Sequence, residues 1–175
     1  GKWSTLVTEL LNFKDLYDAN APLKRVLPAL VEAHPAAYAN MGLRDLCEQV
    51  HQVYKDDNVP KAQKDMYTTL PEMAMRPADA YESLVRGRVE SVEIDKLMGR
   101  TLAVMVVPYP PGIPLIMPGE RITAATKSIY DYLLYARDFD RRFPGFETDI
   151  HGLRFESSGD GRRYLVDCVA QGIDR

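Results

Sequence analysis

Asp149 and His151 stand two residues apart, so in an extended segment their side chains share one face. A carboxylate beside an imidazole is the pairing used for acid–base work, the carboxylate orienting the ring while the ring moves a proton. The plainer reading is a structural hydrogen bond or a surface turn. The other two histidines, His34 and His51, have no spacing that suggests a metal site. Arg141-Arg142 near a helix end reads as favourable helix-end charge. Gly99-Arg100, beside an apolar run, reads as an internal salt bridge more readily than as an anion site. No P-loop, dinucleotide-binding fingerprint, His-Glu-x-x-His, nucleophile elbow or Cys-x-x-Cys motif occurs. These residues make no self-contained catalytic constellation.

The most distinctive stretch is Pro108–Glu120, which holds five prolines and two glycines in thirteen residues. Each proline fixes φ and removes a backbone donor, so the stretch is neither a helix nor a central strand. Pro110 and Pro111 also restrict the residues before them to extended geometry. Three readings follow. An exposed polyproline ligand is disfavoured by Ile113, Leu115, Ile116 and Met117, which would form a large apolar patch. A buried connection between a strand and a helix is the second. The third is a rigid loop presenting Tyr109, its only phenol, and Glu120 to a site elsewhere. Glu120 is expected near a helix start, where the dipole favours a carboxylate.

The elements that must hold this loop follow from periodicity and punctuation. Ser4 or Thr5 is placed to cap a helix over Leu6, Leu10, Phe13 and Tyr17. Pro22 opens a second, ending before His34-Pro35. A third covers Leu43–Tyr54, with Leu46, Val50 and Val53 or Tyr54 inward. Further helices start at Pro60, reaching about Thr69, and at Arg76-Pro77, ending at about Arg86 before Gly87. The period then changes. Val89–Ile94 alternates like a strand, and Leu102–Val107 is a continuous apolar run of strand length. After the proline loop, Thr123 caps a long helix through Ile129, Leu133, Ala136 and Phe139 or Phe143, stopped by Phe143-Pro144-Gly145. His151–Glu156 and Arg163–Val169 read as a hairpin joined by Ser157-Ser158-Gly159-Asp160-Gly161. The class is α+β, helices packed on a small mixed sheet with a C-terminal hairpin.

Composition narrows the function classes. With 175 residues, 46% hydrophobic and 27% charged, the chain has the values of an ordinary soluble domain. A net charge of −3 argues against a dedicated nucleic-acid binder. No apolar run approaches the roughly 20 residues of a membrane span. Cys47 and Cys168 form no disulfide framework and read as buried thiols of a cytoplasmic protein. Gly1-Lys2-Trp3 leads straight into a helical pattern without an initiator Met, so the chain is expected to be part of something longer.

The run from Thr101 through Val107 and the proline loop to Glu120 resembles the C-terminal domain of the bacterial ornithine/lysine/arginine decarboxylases. Gly42-Leu43-Arg44-Asp45-Leu46 and Met75-Arg76-Pro77-Ala78-Asp79-Ala80-Tyr81 are similar to the family's helical region. Phe143-Pro144-Gly145-Phe146-Glu147-Thr148-Asp149-Ile150-His151-Gly152 resembles its closing signature. Residues 1–20 resemble the last helix of the family's preceding small subdomain, which leaves 21–175 as the C-terminal domain. Within the family, lysine decarboxylases of pseudomonad type resemble the chain most, arginine decarboxylases next.

That resemblance implies a pyridoxal-phosphate enzyme of aminotransferase-like fold whose catalytic lysine, in a Ser-x-His-Lys setting, lies upstream. Lys2, Lys14, Lys24, Lys55, Lys61, Lys64, Lys96 and Lys127 all lack that neighbourhood. The segment alone is therefore expected neither to hold the cofactor nor to decarboxylate. It implies a basic amino-acid substrate, a homo-oligomer (a dimer or a larger ring), and no nucleic-acid or membrane partner. Tyr109, with Pro110, Pro111 and Gly112, is the implied active-site edge, and Glu120 a second contributor. The alternative implied role is a non-catalytic assembly or partner-binding module of the same enzyme.

Overall fold

The computed structural model describes residues 2–158 and 161–172, and the chain divides into two compact units. The first comprises Gly1–Asp57 with Phe143–Phe146, the second Asn58–Arg142 with Glu147–Arg175.

The first unit is helical: α1 (Lys2–Asp18), α2 (Leu23–Val26), α3 (Pro28–Ala33), α4 (Pro35–Tyr38) and α5 (Leu43–Asp56). The helix expected from Pro22 to His34 is broken once more than punctuation suggested. Leu27 and His34, each preceding a proline, both leave helical geometry at φ −133°. The clash of a proline ring with the preceding backbone accounts for both breaks. α1 starts at Lys2, so Ser4 and Thr5 lie inside it rather than capping it. It buries none of its residues within this chain, although it carries the expected apolar stripe. In α5, Leu46 and Val53 are buried, Val50 is half-buried, and Tyr54 is exposed.

Asn20 joins α1 to α5. Its Nδ2 donates to both Asp45 carboxylate oxygens at 3.0 Å, and its Oδ1 accepts the Arg44 N–H. Asp45 also accepts the Gly42 N–H, and these bonds hold its pKa below the usual carboxylate value, the Asn20 amide contributing most. A Cβ on Gly42 would collide with the Asn20 amide, so any larger residue there would have to displace the Asn20 side chain from its bonds to Asp45 and Arg44.

The second unit runs α6 (Val59–Thr68), β1 (Glu72–Met73), α7 (Pro77–Val85), β2 (Val89–Glu93), β3 (Val107–Tyr109), β4 (Glu120–Arg121), α8 (Lys127–Arg142), β5 (Asp149–His151), β6 (Leu153–Ser158) and β7 (Gly161–Val169). The class is α+β, as expected. The described strands form three small sheets, β2–β7–β6, β3–β5 and β1–β4, and every ladder is antiparallel. α6 lies along α8, whose Ile129, Leu133 and Ala136 face a core shared with Leu102, Ile116, Ile122 and Val166. The C-terminal hairpin is present, with Ser158 opposite Gly161; Gly159-Asp160 of the expected turn lie outside the described residues.

Two segments differ from their sequence reading in ways that shape the site. Leu102–Val107 is buried in the main but is not one regular strand, since only Val107 belongs to β3. The run is held by scattered bonds: Leu102 N–H to Glu120, Ala103 N–H to Asp167, and Val106 N–H to Ile116. Its partner is the outgoing limb of the proline loop, where Pro114 and Pro118 supply no donors, so no continuous ladder forms. His151–Glu156, expected as one strand, is split by Gly152 at φ +92°. A Cβ there would collide with the Met105 carbonyl, and the left-handed glycine turns the chain. β5 therefore pairs with β3, and β6 with β7.

Candidate active-site rim

The proline loop is a folded-back arm rather than a free extended segment. Its limbs are buried at Val106, Val107, Leu115 and Ile116, and its tip, Tyr109 to Pro114, is largely exposed. The peptide bonds Tyr109–Pro110 and Pro110–Pro111 are cis, and the Gly112 N–H donates to the Pro108 carbonyl at 2.8 Å, closing the turn. Gly112 has φ +79°, and a Cβ built on it would lie 3.1 Å from the Tyr109 ring. The phenol thus lies directly against the glycine, 49% exposed. Pro110 and Pro111 are exposed beside it.

Strand β5 brings the Asp149–His151 pair to this tip. In the β3–β5 ladder Tyr109 is opposite Asp149 and Val107 is opposite His151. Ile150 points into the core while Asp149 and His151 point out, as the period-2 geometry of a strand requires. The His151 imidazole reaches diagonally to the Tyr109 ring, with centroids 4.7 Å apart and planes 38° from parallel. His151 Nε2 is 3.6 Å from Asp149 Oδ2, with the two side chains 62% and 69% exposed. At that distance and exposure it is a loose surface pair rather than a buried acid–base dyad.

Glu120 stands apart from this group. It lies in β4, opposite Met73, and its Oε2 accepts the Met117 N–H at 2.7 Å, which closes the far end of the loop. The expected helix start is at Thr123 instead. Thr123 begins a single 3₁₀ turn, Ala124–Thr126, that feeds α8, and its N–H donates to Thr126 Oγ1 at 2.8 Å. The helix-dipole argument for Glu120 therefore does not apply.

The remaining candidates are structural. Arg100, only 13% exposed, pairs with Glu90 at 2.8 Å and reaches the Val169 carbonyl. Arg141 donates to the Arg162 carbonyl. His34 packs edge-on against Tyr38, and His51 is exposed. Cys168 is buried, which pushes its thiol up to about 12, and Cys47 is half-buried; neither is in a disulfide. Among the described residues no group of three or more His, Cys, Asp or Glu could hold a metal ion.

One residue escaped the sequence reading. Asp140 is buried on α8; its Oδ1 accepts the Thr148 N–H at 2.8 Å and its Oδ2 the Tyr164 hydroxyl at 3.0 Å. Burial pushes its pKa above the usual carboxylate value, and burial followed by the Asp140 charge pushes Tyr164 up to about 12. Asp140 thereby fixes the residue that leads into β5. A signal was present: Asp140 continues the Ile129, Leu133, Ala136 spacing, placing a carboxylate on an apolar stripe.

The lysines do not fit the anchoring of pyridoxal phosphate. An imine-forming lysine needs a cavity beside its cofactor, and all eight lysines of this chain are exposed. Lys14, Lys61 and Lys127 pair with aspartates one helical turn away, and Lys96 pairs with Glu93.

Residues 60–170 match the family model described as Orn/Lys/Arg decarboxylase, C-terminal domain. The chain is 59% identical over 98% of its length to lysine decarboxylase LdcA of Pseudomonas aeruginosa, covering 23% of that protein. It is 42% identical over 87% of its length to the biodegradative arginine decarboxylase of Escherichia coli, covering 20%. The solved structure of lysine decarboxylase A from Pseudomonas aeruginosa superposes with a TM-score of 0.89 at 60% identity, over 97% of this chain and 23% of that one. The chain thus spans less than a quarter of the length of these relatives. It belongs to the ornithine/lysine/arginine decarboxylase family, and what it matches is the C-terminal domain.

Proposed function

We propose that this chain is the C-terminal part of a pyridoxal-phosphate-dependent basic amino-acid decarboxylase, converting lysine to cadaverine, with arginine and ornithine the next substrates to consider. The observation that carries this reading is the 59% identity to a lysine decarboxylase over 98% of the chain. The cofactor belongs to residues outside this chain, a reading supported by its exposed and ion-paired lysines.

In this reading the loop tip edges the substrate entrance. Tyr109 presents a half-exposed phenol, Pro110 and Pro111 hold its backbone, Gly112 leaves room for the ring, and Glu120 closes the loop behind them. Asp149, on the same rim, favours approach of a cationic amino acid electrostatically. The enzyme works in the cytoplasm; no helix among the described residues is long and apolar enough to cross a membrane.

The second reading, an assembly module of the same enzyme, is favoured by α1. Trp3, Leu6, Leu10 and Phe13 are all exposed on it, an apolar face that calls for a cover. In this view residues 1–20 end the preceding subdomain, 21–175 form the C-terminal domain, and the enzyme assembles as a homo-oligomer.

Replacing Tyr109 with Phe and with Ala in the full-length enzyme separates the two readings. A fall in kcat/KM for lysine at unchanged oligomeric state supports the entrance role. A changed oligomeric state at unchanged kcat/KM supports the assembly role, and no change in either sinks the entrance role.

A further inference from the structure

His151 is not used by the reading above, yet β5 brings it to the most exposed part of the loop. The backbone around Tyr109 has little freedom left. Tyr109 is the last residue of β3, two prolines follow it, and the Gly112 N–H is bonded to the Pro108 carbonyl. What remains is rotation of the phenol ring about its side-chain bonds. Gly112 offers the ring a surface but no side chain to hold it. The described ring contact on Tyr109 comes from His151, across the ladder at 4.7 Å between centroids. Diagonal cross-strand neighbours of this kind lie within reach of aromatic side chains and stabilise one another.

The imidazole is delivered by a strand that is itself well fixed. Asp140 accepts the N–H of Thr148, immediately before β5, and Gly152, immediately after it, sits against the Met105 carbonyl. Ile150 is buried between the two outward side chains. Asp149 Oδ2 lies 3.6 Å from Nε2, a loose contact on the same face. The order of support runs from the buried core through β5 to His151, and from His151 to the phenol.

We infer that His151 is a positioning residue for Tyr109, its imidazole holding the phenol in the orientation in which it edges the substrate entrance. The inference rests on the entrance role proposed above. It assigns His151 no proton transfer. The imidazole acts through the ring beside it, so what it sets is how well Tyr109 receives the substrate.

The test uses the full-length enzyme carrying His151→Ala, His151→Phe, Tyr109→Ala, or Tyr109→Ala combined with His151→Ala. An aromatic contact of this type predicts that His151→Ala lowers kcat/KM for lysine about three- to tenfold. His151→Phe, which keeps a ring at that position, restores kcat/KM to within about twofold of the parent. Because His151 is 62% exposed, neither change should alter thermal unfolding or oligomeric state. On the Tyr109→Ala background, His151→Ala should cost nothing further, since the ring it positions is gone. A cryo-EM map of the His151→Ala enzyme should show the Tyr109 ring displaced or spread over several orientations. If the ring keeps its place on Gly112, or if the two losses simply add, the positioning role is overturned. Should Tyr109→Ala leave kcat/KM unchanged, the entrance reading itself falls. A loss from Tyr109→Ala with none from His151→Ala removes only the role assigned to His151.

Discussion

The Tyr164 hydroxyl donates to Asp140 Oδ2 across 3.0 Å, and both side chains are buried. Because Asp140 Oδ1 also takes the Thr148 N–H, one carboxylate joins α8, β7 and the residue that leads into β5. Asp140→Ala would leave both donors unpaired, at a cost of about 1–3 kcal/mol for each buried group. Urea unfolding should show a loss of about 2–6 kcal/mol, well above that of the near-isosteric Asp140→Asn. Equal midpoints for Asp140→Ala and the parent would remove the pair from any account of the fold.

The same carboxylate makes stability depend on pH in a set direction. Its pKa in the folded chain is raised above the ordinary 3.8, chiefly by burial, so the folded state holds the proton more tightly than the unfolded state does. Its contribution is complete below 3.8 and is lost as pH rises through the higher folded value. Unfolding free energies recorded across mildly acidic pH should therefore contain a declining component that Asp140→Asn lacks. A parent and variant with parallel pH profiles would contradict this.

Tyr164 predicts a second loss at alkaline pH. Burial and the Asp140 charge raise its hydroxyl from 10.0 to about 12, so its stabilising proton is present below 10.0 and is lost between 10.0 and about 12. Tyr164→Phe should cost about 1 kcal/mol at neutral pH through the missing hydrogen bond. It should also flatten the alkaline limb of the stability curve, measured by far-ultraviolet circular dichroism.

Gly119 has φ +88°, and a Cβ on it would meet the Met75 carbonyl oxygen. Its own carbonyl accepts the N–H groups of Ala74 and Met75, so the backbone cannot move away cheaply. Gly119→Ala should destabilise the second unit by about 1–3 kcal/mol. A thermal scan showing an unchanged midpoint would mean that the loop relaxes freely.

For the 175-residue chain by itself, pyridoxal phosphate should produce no saturable imine absorption, and lysine should not be turned over. Every lysine is exposed, and four of them are held by neighbouring carboxylates. Stoichiometric cofactor binding, followed by spectrophotometric titration, would overturn the assignment of the cofactor to residues outside this chain.

Local chemistry made most of the helices readable. The 4-3-4 spacing of Ile129, Leu133, Ala136 and Asp140 defines the buried face of α8, and Gly87 stops the segment after α7 with φ +68°. Pro77 opens α7 at the first helical position, where its missing N–H costs nothing. The extra break at Leu27 was legible in principle, since Pro28 follows it, but the apolar pattern runs straight across. The strands around the loop were less legible. A single glycine, Gly152, decides that the segment His151–Glu156, read as one strand, belongs to two sheets, and only its close approach to Met105 shows why.

The sequence by itself determined that the Pro108–Glu120 stretch is stiff, because proline restricts φ and removes donors wherever it stands. It also determined that Asp149 and His151 share a face, because side chains alternate in any strand. It carried, too, the motifs by which the family is recognised. The tertiary structure alone decided that these two features meet. Register is a property of paired strands, and β3 and β5, some forty residues apart in the chain, are paired through buried residues, Val107 and Ile150 on the strands and Asp140 beside them. No spacing within the sequence states that the imidazole of His151 comes to rest against the ring of Tyr109. That contact depends on a core that must first close around both strands.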